Sequence, residues 1–186
     1  PNCKIINLGS SCIYPLDSKN PIVEESIFTG KLEPTNSPYA IAKLAAIELA
    51  NSMKVQYGHE IINLMPTNLY GPGDNFDPKN AMVIPSLLMR IEKGENPLTV
   101  WGDGSAIRDF AFARDVAEGT IQALFHGTKG KYLNLGSGKA VTIKELVETL
   151  SSFLDFKYEF DTSKSSGWPK RLMDISLAKE MIKRLK

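Results

Sequence analysis

A tyrosine and a lysine four residues apart, Tyr39 and Lys43, form the pair whose types and spacing best suit chemistry. In a helix, side chains four residues apart leave the same face, one turn apart. A lysine ammonium beside a phenol favours the phenolate and lowers the pKa of the tyrosine from its ordinary value of about 10. The pair could therefore exchange a proton near neutral pH. The same spacing also occurs where a tyrosine packs and a lysine is solvated, so the spacing alone does not decide the function.

Two serines and a cysteine follow the first apolar run of the chain. Lys4–Leu8 predicts a short buried strand, and Gly9 comes before Ser10, Ser11 and Cys12. Ligands of open α/β sheets bind at the carboxyl ends of the strands. The hydroxyl and thiol groups are therefore predicted at the ligand-binding edge of a sheet, where a plain turn would not require them.

The elements that position these residues can be predicted from the pattern around them. Capping residue types at Asn36 and Ser37 predict a helix from about Pro38 to Tyr57. Ile61–Met65 predicts the next buried strand, which runs into Pro66–Leu69. The apolar residues that the helix pattern offers to a core are Ile41, Ala45, Leu49 and Met53.

Short strands and helices alternate along the rest of the chain, which predicts an α/β protein. Leu16–Pro34 and Tyr70–Asn80 are rich in turn residues and are predicted to be irregular. The predicted strands are Leu98–Trp101, Arg108–Phe112, Tyr132–Leu135 and Phe156–Phe160, and the predicted helices are Val83–Lys93, Val141–Phe153 and one from about Ser176.

The composition excludes several classes of function. With 186 residues, 42% hydrophobic and 23% charged, and a net charge of +1, the chain has no basic run that would favour nucleic acid. Its apolar stretches are too short to span a membrane. Two cysteines, Cys3 and Cys12, are too few for a disulfide scaffold or a metal site, so a reducing, cytoplasmic location is expected. The chain opens without Met, and we expect it to be part of a longer protein.

The Ser10 stretch and the Tyr39–Lys43 pair together resemble the extended short-chain dehydrogenase/reductase family, the NAD-dependent epimerases and dehydratases. Members carry a Ser-Tyr-Lys triad that works on a carbonyl or alcohol beside a nicotinamide. The resemblance is most specific to the group that makes GDP-L-fucose by 3,5-epimerisation and 4-reduction of GDP-4-keto-6-deoxymannose. The motifs that carry it are Gly9-Ser-Ser-Cys-Ile-Tyr-Pro15, Pro38-Tyr-Ala-Ile-Ala-Lys43, Met65-Pro-Thr-Asn-Leu-Tyr-Gly-Pro72, Asp74-Asn75-Phe76, Val83-Ile84-Pro85 and Val100-Trp-Gly102.

The resemblance implies a role for each matching residue. Tyr39 would give a proton to the sugar oxygen, Ser10 would bond that oxygen, and Lys43 would act on Tyr39 and the nicotinamide ribose. Cys12 would exchange protons on a carbon beside the keto group. The residues implied to hold NADP(H) are Leu8, Gly9, Ser10, Ser11, Tyr39, Lys43, Pro66, Thr67, Asn68 and Leu69. Those implied to bind the GDP-sugar are Ser10, Asn68, Arg90, Trp101, Arg108, Lys170 and Arg171, among which the guanidinium groups suit a diphosphate.

The resemblance also implies a domain organisation. Residues 1–80 would be the carboxyl-terminal half of a dinucleotide-binding domain, the later part of a Rossmann-type doubly wound sheet. Residues 81–186 would be mostly a small α/β substrate domain, with residues 98–135 partly returning to the sheet. No glycine-rich phosphate-binding turn follows a strand in this sequence, so we expect the amino-terminal βαβ units to lie outside it. The chain alone would then be inactive, and the full-length protein would be a homodimer.

Two positions depart from the family pattern. Met82 stands where the family has the histidine that complements the cysteine, and Ser166 stands where an aspartate is common. His59 and His126 match no motif and are predicted at the surface. A related nucleotide-sugar 4-reductase or 4-epimerase without 3,5-epimerisation is therefore an alternative, and a non-catalytic module that binds a sugar nucleotide is another.

Overall fold

The computed structural model describes residues 3–127 and 131–183, and their side chains as far as residue 181. The chain is an α/β protein with parallel strand pairs. The strands are β1 (Lys4–Leu8), β2 (Glu60–Pro66), β3 (Asn68–Tyr70), β4 (Leu98–Trp101), β5 (Ile107–Arg108), β6 (Phe110–Phe112), β7 (Tyr132–Leu135), β8 (Val141–Thr142) and β9 (Tyr158–Asp161). The helices are α1 (Ser37–Tyr57), α2 (Val83–Glu92), α3 (Ala113–His126), α4 (Ile143–Phe153) and α5 (Ser176–Lys183).

A parallel three-stranded sheet with the order β1–β2–β7 positions the first set of candidate residues. Leu8 at the end of β1 lies opposite Leu64, and Pro66 at the end of β2 lies opposite Leu135. The three strands therefore end at one edge. The predicted strands at Lys4–Leu8 and Tyr132–Leu135 are confirmed, and the predicted strand at Ile61–Met65 is one residue longer at each end.

Helices cover both faces of this sheet. Side chains alternate between the faces along β2. Met65 packs in a core cluster with Leu44 and Ile47 of α1, while Leu64 packs in a second cluster with residues of α3 and α5, among them Ala123 and Ala178. The sheet is thus the middle of three layers, which is the arrangement that parallel strands need because both of their faces must be buried.

Helix α1 has the predicted span, but its buried face differs from the predicted one. Gly58 ends the helix in the left-handed conformation, with φ 69°, as the sequence pattern indicated. Asn36 makes no side-chain cap, and Pro38 in the first turn is the start signal that the structure uses. The buried residues are Ala40, Leu44, Ile47 and Ala50. The predicted set of Ile41, Ala45, Leu49 and Met53 was wrong, because α1 is apolar on more than one side and only packing selects the buried face.

The second half of the chain differs from prediction at three places. The strand predicted at Arg108–Phe112 is interrupted at Asp109, which lies between β5 and β6. Val141–Thr142 forms β8, so α4 begins two residues later than predicted, with Thr142 as its N-cap. The last strand is Tyr158–Asp161, because β9 pairs in register with β4 from Leu98 to Trp101.

Two compact units divide the chain. Unit 1 consists of Pro1–Leu69, Asp109–Lys139 and Leu172–Lys186, and unit 2 consists of Tyr70–Arg108 and Ala140–Arg171. Unit 2 contains the parallel pair β4–β9, the antiparallel pair β5–β8 and the helices α2 and α4. Within residues 98–135, the part from Asp109 onward belongs to unit 1, while β4 pairs with β9 inside unit 2. Among the described helices, none combines the length and the apolar character that crossing a membrane requires.

Candidate functional site

The first turns of α1 lie against the carboxyl end of β1. The Nζ of Lys43 donates a hydrogen bond to the main-chain oxygen of Leu8 at 2.8 Å. The same ammonium lies 5.7 Å from the centroid of the Tyr39 ring. Tyr39 is about half exposed, with 48% of its surface accessible. The helix therefore presents a phenol and an ammonium together at the edge where the sheet ends, with the phenol open to a ligand.

A single 3-10 turn follows β1 closely, with Ser10 as its N-cap and Cys12 within it. Ser10 precedes the turn Ser11–Ile13, and its Oγ accepts a hydrogen bond from the Cys12 main-chain N–H at 3.2 Å. Cys12 is a free, half-buried thiol. Helix α1 contacts this turn, which brings the serine, the thiol and the Tyr39–Lys43 pair to the same edge. A Cβ at Gly9 would collide with the buried Met65 side chain, so the glycine lets the main chain after β1 pack against Met65 and Ile47.

A buried polar network holds the far end of this turn. The Tyr14 hydroxyl donates to the Asn134 Oδ1 at 2.6 Å, and the Asn134 Nδ2 donates to the Ile22 and Asp174 carbonyls at 3.0 Å each. The Asn134 main-chain N–H donates to the buried Glu24 carboxyl at 2.9 Å. Burial raises the pKa of Glu24 above its ordinary value, and burial with the nearby Glu24 raises the pKa of Tyr14. Tyr14 therefore remains a neutral donor.

The loop after β2 is held by two main-chain carbonyls, those of Leu135 and Asp109. The Thr67 main-chain N–H donates to the Leu135 carbonyl at 3.0 Å. The Thr67 hydroxyl and the Asn68 Nδ2 both donate to the main-chain oxygen of Asp109, each at 2.9 Å. Pro66 is half-buried, while Leu69 is exposed beside this loop. Among the residues that the sequence predicted at the nicotinamide, Leu8 and Leu69 have exposed apolar side chains. Both lie next to main chain that is held by hydrogen bonds.

In unit 2, the guanidinium of Arg90 is engaged by its own surroundings. Its Nε donates to the Glu95 Oε2 at 2.7 Å, and its Nη2 contacts the Glu95 Oε1 and donates to the Thr99 carbonyl at 2.6 Å. The hydrogen bond from Arg90 lowers the pKa of Glu95 below its ordinary value. These bonds tie the end of α2 to β4, which ends at Trp101, a side chain that is 67% exposed. Arg90 therefore has a structural role in unit 2, whatever else it binds.

The other predicted cations of unit 2 gather around β5. The main chain of Lys170 forms an isolated parallel β-bridge with Ile107. The Arg171 main-chain N–H donates to the Ile107 carbonyl at 3.0 Å. The Arg108 Nη1 donates to the carbonyls of Ile107 at 2.8 Å and Trp168 at 2.6 Å. Arg171 is 8% exposed, and no hydrogen bond or ion pair joins its guanidinium to another described side chain. Its nitrogens are not enclosed, because the buried side-chain atoms without a partner in the described part of the chain are the Ser18 Oγ and the Asp74 Oδ2. The guanidinium is therefore open to an anionic ligand.

Neither histidine lies at the carboxyl edge of the sheet. His59 and His126 line a cavity of about 320 Å³ together with Lys54 of the last turn of α1 and with Lys4 and Glu60, which are at the opposite, amino ends of β1 and β2. Met82 precedes α2 and is 54% exposed. The histidines therefore cannot take the place of an acid at the edge that carries Ser10 and Cys12.

Sequence reasoning missed the buried polar residues that hold the site. Asn63, Asn134 and Asp109 are each 0% exposed, yet each lies in or beside an apolar strand. A lone amide or carboxyl within an apolar strand run is the signal that could have found them, because a buried polar group needs partners. Their partners lie far along the chain, and the sequence did not show which residues these were.

The family of the chain follows from comparison with known proteins. The sequence profile of the NAD dependent epimerase/dehydratase family matches residues 1–136, and the chain belongs to this family. A relative named probable GDP-L-fucose synthase 1, from rice (Oryza sativa subsp. japonica), is 45% identical over 184 residues, which cover 96% of this chain and 56% of that protein.

Two solved structures are also similar. The GDP-L-fucose synthetase from Naegleria fowleri bound to NADP has 28% identity and a TM-score of 0.83, covering 98% of this chain and 60% of its own. The GDP-mannoheptose C4 reductase from Campylobacter jejuni with NADP bound has 26% identity and a TM-score of 0.80, covering 96% and 64%. The chain thus spans a little over half the length of these relatives.

Proposed function

We propose that the full-length protein is a nucleotide-sugar epimerase/reductase that converts GDP-4-keto-6-deoxymannose to GDP-L-fucose with NADPH. The observation that carries the proposal is the pairing of Tyr39 and Lys43 at the end of β1, beside the turn of Ser10 and Cys12. The likeness to the rice and Naegleria proteins supports the same substrate. A keto-sugar reductase needs an acid for the developing alkoxide, and this pair can supply one.

In the proposed reaction, four side chains of unit 1 each have one role. Tyr39 donates its phenolic proton to the 4-oxygen of the sugar. Ser10 donates a hydrogen bond to the same oxygen, and the Lys43 ammonium stabilises the phenolate that remains. Before reduction, the 4-keto group makes the protons on the neighbouring carbons acidic, and the Cys12 thiol exchanges one of them.

The residues present at the edge of unit 1 fit a nicotinamide. Leu8 and Leu69 offer exposed apolar surface at the strand ends. Residues Leu8–Ser11 and Pro66–Leu69, with Tyr39 and Lys43, would hold the cofactor. When bound, NADPH would supply the hydride for the carbonyl carbon. The two NADP-bound relatives support NADP(H) as the cofactor.

The proposed sugar-nucleotide residues lie in unit 2. Arg171 is the strongest of them, because its side chain is held in place by burial while its guanidinium stays open to an anion such as a diphosphate oxygen. Arg108 and Lys170 add positive charge beside it, and Trp101 offers an exposed aromatic face. On this proposal, unit 1 is the later part of a doubly wound dinucleotide-binding domain and unit 2 is the substrate domain. The exposed Ile41 and Leu49 of α1 support the proposed homodimer.

A second candidate is a 4-reductase or 4-epimerase without 3,5-epimerisation. Met82 favours it, because a thioether cannot exchange a proton. The likeness to the Campylobacter C4 reductase is compatible with this reading. It keeps the roles of Ser10, Tyr39 and Lys43 and removes only that of Cys12.

The test is a direct assay of the full-length protein. GDP-4-keto-6-deoxymannose and NADPH are incubated with it, NADPH oxidation is followed by absorbance, and the product sugar is identified by NMR. Formation of GDP-L-fucose supports the first candidate, and a 4-reduced sugar with unchanged centres at carbons 3 and 5 supports the second. Binding of the GDP-sugar without NADPH oxidation would contradict both and support a non-catalytic binding module.

A further inference from the structure

We infer that Asp109 is a positioning residue, which holds the loop of Thr67 and Asn68 in the place where it meets the nicotinamide. The inference rests on the function proposed above, and it assigns a role to two features that the proposed chemistry leaves unused. These features are the interruption of a strand at Asp109 and the glycine-rich turn Gly136-Ser137-Gly138.

The carboxyl group of Asp109 is fully buried and anchored on that turn. Its Oδ1 accepts hydrogen bonds from the Ser137 main-chain N–H at 2.9 Å and from the Ser137 hydroxyl at 2.7 Å. Its Oδ2 accepts one from the Gly138 main-chain N–H at 3.2 Å. The turn directly follows β7, so the carboxyl group is tied to the sheet. Three donors that converge on one buried group fix its position and its rotamer.

The turn is shaped to receive this carboxyl group. A Cβ at Gly136 would lie 2.7 Å from the Asp109 Oδ2, so only glycine leaves room for the carboxylate. Gly138 has φ 65°, a left-handed conformation that glycine adopts readily and that places its N–H in the set of donors. The turn Gly136-Ser137-Gly138 therefore forms the binding site of the Asp109 carboxylate.

The main-chain carbonyl of Asp109 transmits this position to the loop after β2. Asp109 is the single residue between β5 and β6, and its oxygen accepts both the Thr67 hydroxyl and the Asn68 amide at 2.9 Å. Both side chains therefore move if this one oxygen moves. Because Asp109 is fully buried, it is out of reach of a ligand and acts through Thr67 and Asn68.

The expected consequence of moving the loop is large. A displacement of about 1 Å in a group that positions reacting atoms can cost about 100-fold in rate. The affected half of the cofactor would be the nicotinamide, since Thr67 and Asn68 are proposed to lie there. The adenosine half would be unaffected, because its binding does not depend on this loop.

The test compares Asp109→Asn with the wild type in the full-length protein. The substitution keeps the shape of the side chain but turns an amide donor toward N–H donors of the turn. Affinity is measured by calorimetry for NADPH and for adenosine 2′,5′-bisphosphate, which lacks the nicotinamide. We expect NADPH affinity to fall about tenfold and kcat to fall about 100-fold, with unchanged affinity for the bisphosphate.

Asp161→Asn is the matched control. The Asp161 carboxylate accepts the Ser163 main-chain N–H at 3.0 Å and the Ser163 hydroxyl at 2.5 Å, the same local pattern in unit 2. This variant should leave both affinities and kcat unchanged. If Asp109→Asn does not fold, Ser137→Ala replaces it, since that change removes the hydroxyl donor at 2.7 Å and otherwise only the acceptor of the exposed Lys139 main-chain N–H. It should give the same selective loss of NADPH affinity, about threefold.

If Asp109→Asn lowered the affinity for NADPH and for the bisphosphate equally, the positioning role alone would be overturned. The same holds if its NADPH affinity and kcat stayed at the wild-type level. A wild-type protein that neither binds NADPH nor reduces the keto sugar would overturn the proposed function, and the positioning role with it. These two failures are distinguished because the second is seen before any variant is made.

Discussion

Unit 1 and unit 2 differ in the burial of the polar side chains compared below, which are hydrogen-bonded in both units. In unit 1, Asn63, Asn134 and Asp109 are fully buried and bond to partners from other elements. In unit 2, the carboxylates of Asp103 and Glu145 are exposed and bond mainly to main-chain and hydroxyl groups two or three residues away, and Asp103 also accepts the Ser166 hydroxyl at 3.3 Å. Water can replace a lost partner at the surface but not in the core. The geometry of unit 1 is therefore the more tightly specified of the two.

The difference in depth follows the proposed division of labour. Unit 1 carries the groups that would react, namely Ser10, Cys12 and Tyr39, and reacting groups need fixed positions. Unit 2 carries the cations and the exposed Trp101 that would bind a sugar nucleotide. Variants in unit 1 are thus expected to change rate constants, and variants in the binding residues of unit 2 are expected to change substrate affinity.

The largest effect is predicted for Tyr39→Phe in the full-length protein. The change removes the proposed proton donor but leaves the ring and Lys43 in place, so reduction should fall by at least about 1,000-fold while sugar-nucleotide affinity stays nearly constant. Stopped-flow NADPH oxidation and calorimetry would measure the two quantities. Tyr57→Phe is the control, since Tyr57 is exposed at the other end of α1. Turnover of the Tyr39→Phe variant within a few-fold of wild type would refute the assignment.

The second prediction concerns Met82 and separates the two enzyme candidates. If Met82 has replaced an acid, the wild type should reduce the 4-keto group yet exchange protons slowly at the neighbouring carbons. Loss of a positioned acid costs about 100- to 10,000-fold. The measurement is deuterium uptake by the keto sugar nucleotide in heavy water without reductant, read by mass spectrometry and NMR. Met82→His should increase the uptake.

Rapid uptake at both carbons by the wild type would contradict this prediction. It would mean that another group acts as the acid, and Asp77 would be the next residue to change. The Asp77 carboxylate accepts hydrogen bonds from Lys79 and Asn80 in the same exposed loop, so Asp77→Asn tests this without loss of a buried partner.

The third prediction compares a buried and an exposed hydrogen-bond network by stability. Asn134→Ala removes the partner of the buried Tyr14 hydroxyl, the Asn134 amide donor to the Asp174 carbonyl and one of two donors to the Ile22 carbonyl, so the free energy of unfolding should fall by about 3 kcal/mol. Thr142→Ala removes the N-cap of α4 at the surface of unit 2 and should cost about 1 kcal/mol. Urea denaturation measures both values. Equal losses would show that depth does not separate the two units.

The smallest effect is a difference in pH dependence, with opposite signs in the two units. The pKa of Glu24 is raised, so the folded state binds a proton that the unfolded state has lost, and stability falls as pH rises from the ordinary glutamate value through the raised one. The pKa of Glu145 is lowered by hydrogen bonds from Thr142, so its contribution is present above the ordinary value and is lost as pH falls through the lowered one.

Glutamine variants would separate the two contributions. Glu24→Gln should remove the fall in stability on raising the pH, and Glu145→Gln should remove the fall on lowering it. The urea midpoint measured from about pH 3 to pH 8 covers both windows. If the two variants changed the pH profile in the same direction, the contrast between a buried and an exposed carboxyl group would be wrong.

Much of the fold could be predicted from the sequence because its signals are local. The apolar run at Lys4–Leu8, the span of α1 with Gly58 at its end, and β4 and β7 were all predicted correctly. Each depends on periodicity or turn chemistry within a few residues. The placement of Ser10 at a strand end followed from the same signals, whereas the Tyr39–Lys43 pair reaches that edge through a tertiary contact of α1.

The sequence by itself determined which groups are present, the helical spacing of Tyr39 and Lys43, and the strand ends that carry the serines and the loop after β2. Only the tertiary structure decided the buried face of α1, the break at Asp109 and the carbonyl that Lys43 meets. The bond between Tyr14 and Asn134 spans 120 residues. Such partners are selected by packing and by the cost of leaving a buried polar group unpaired, and no local pattern carries that information.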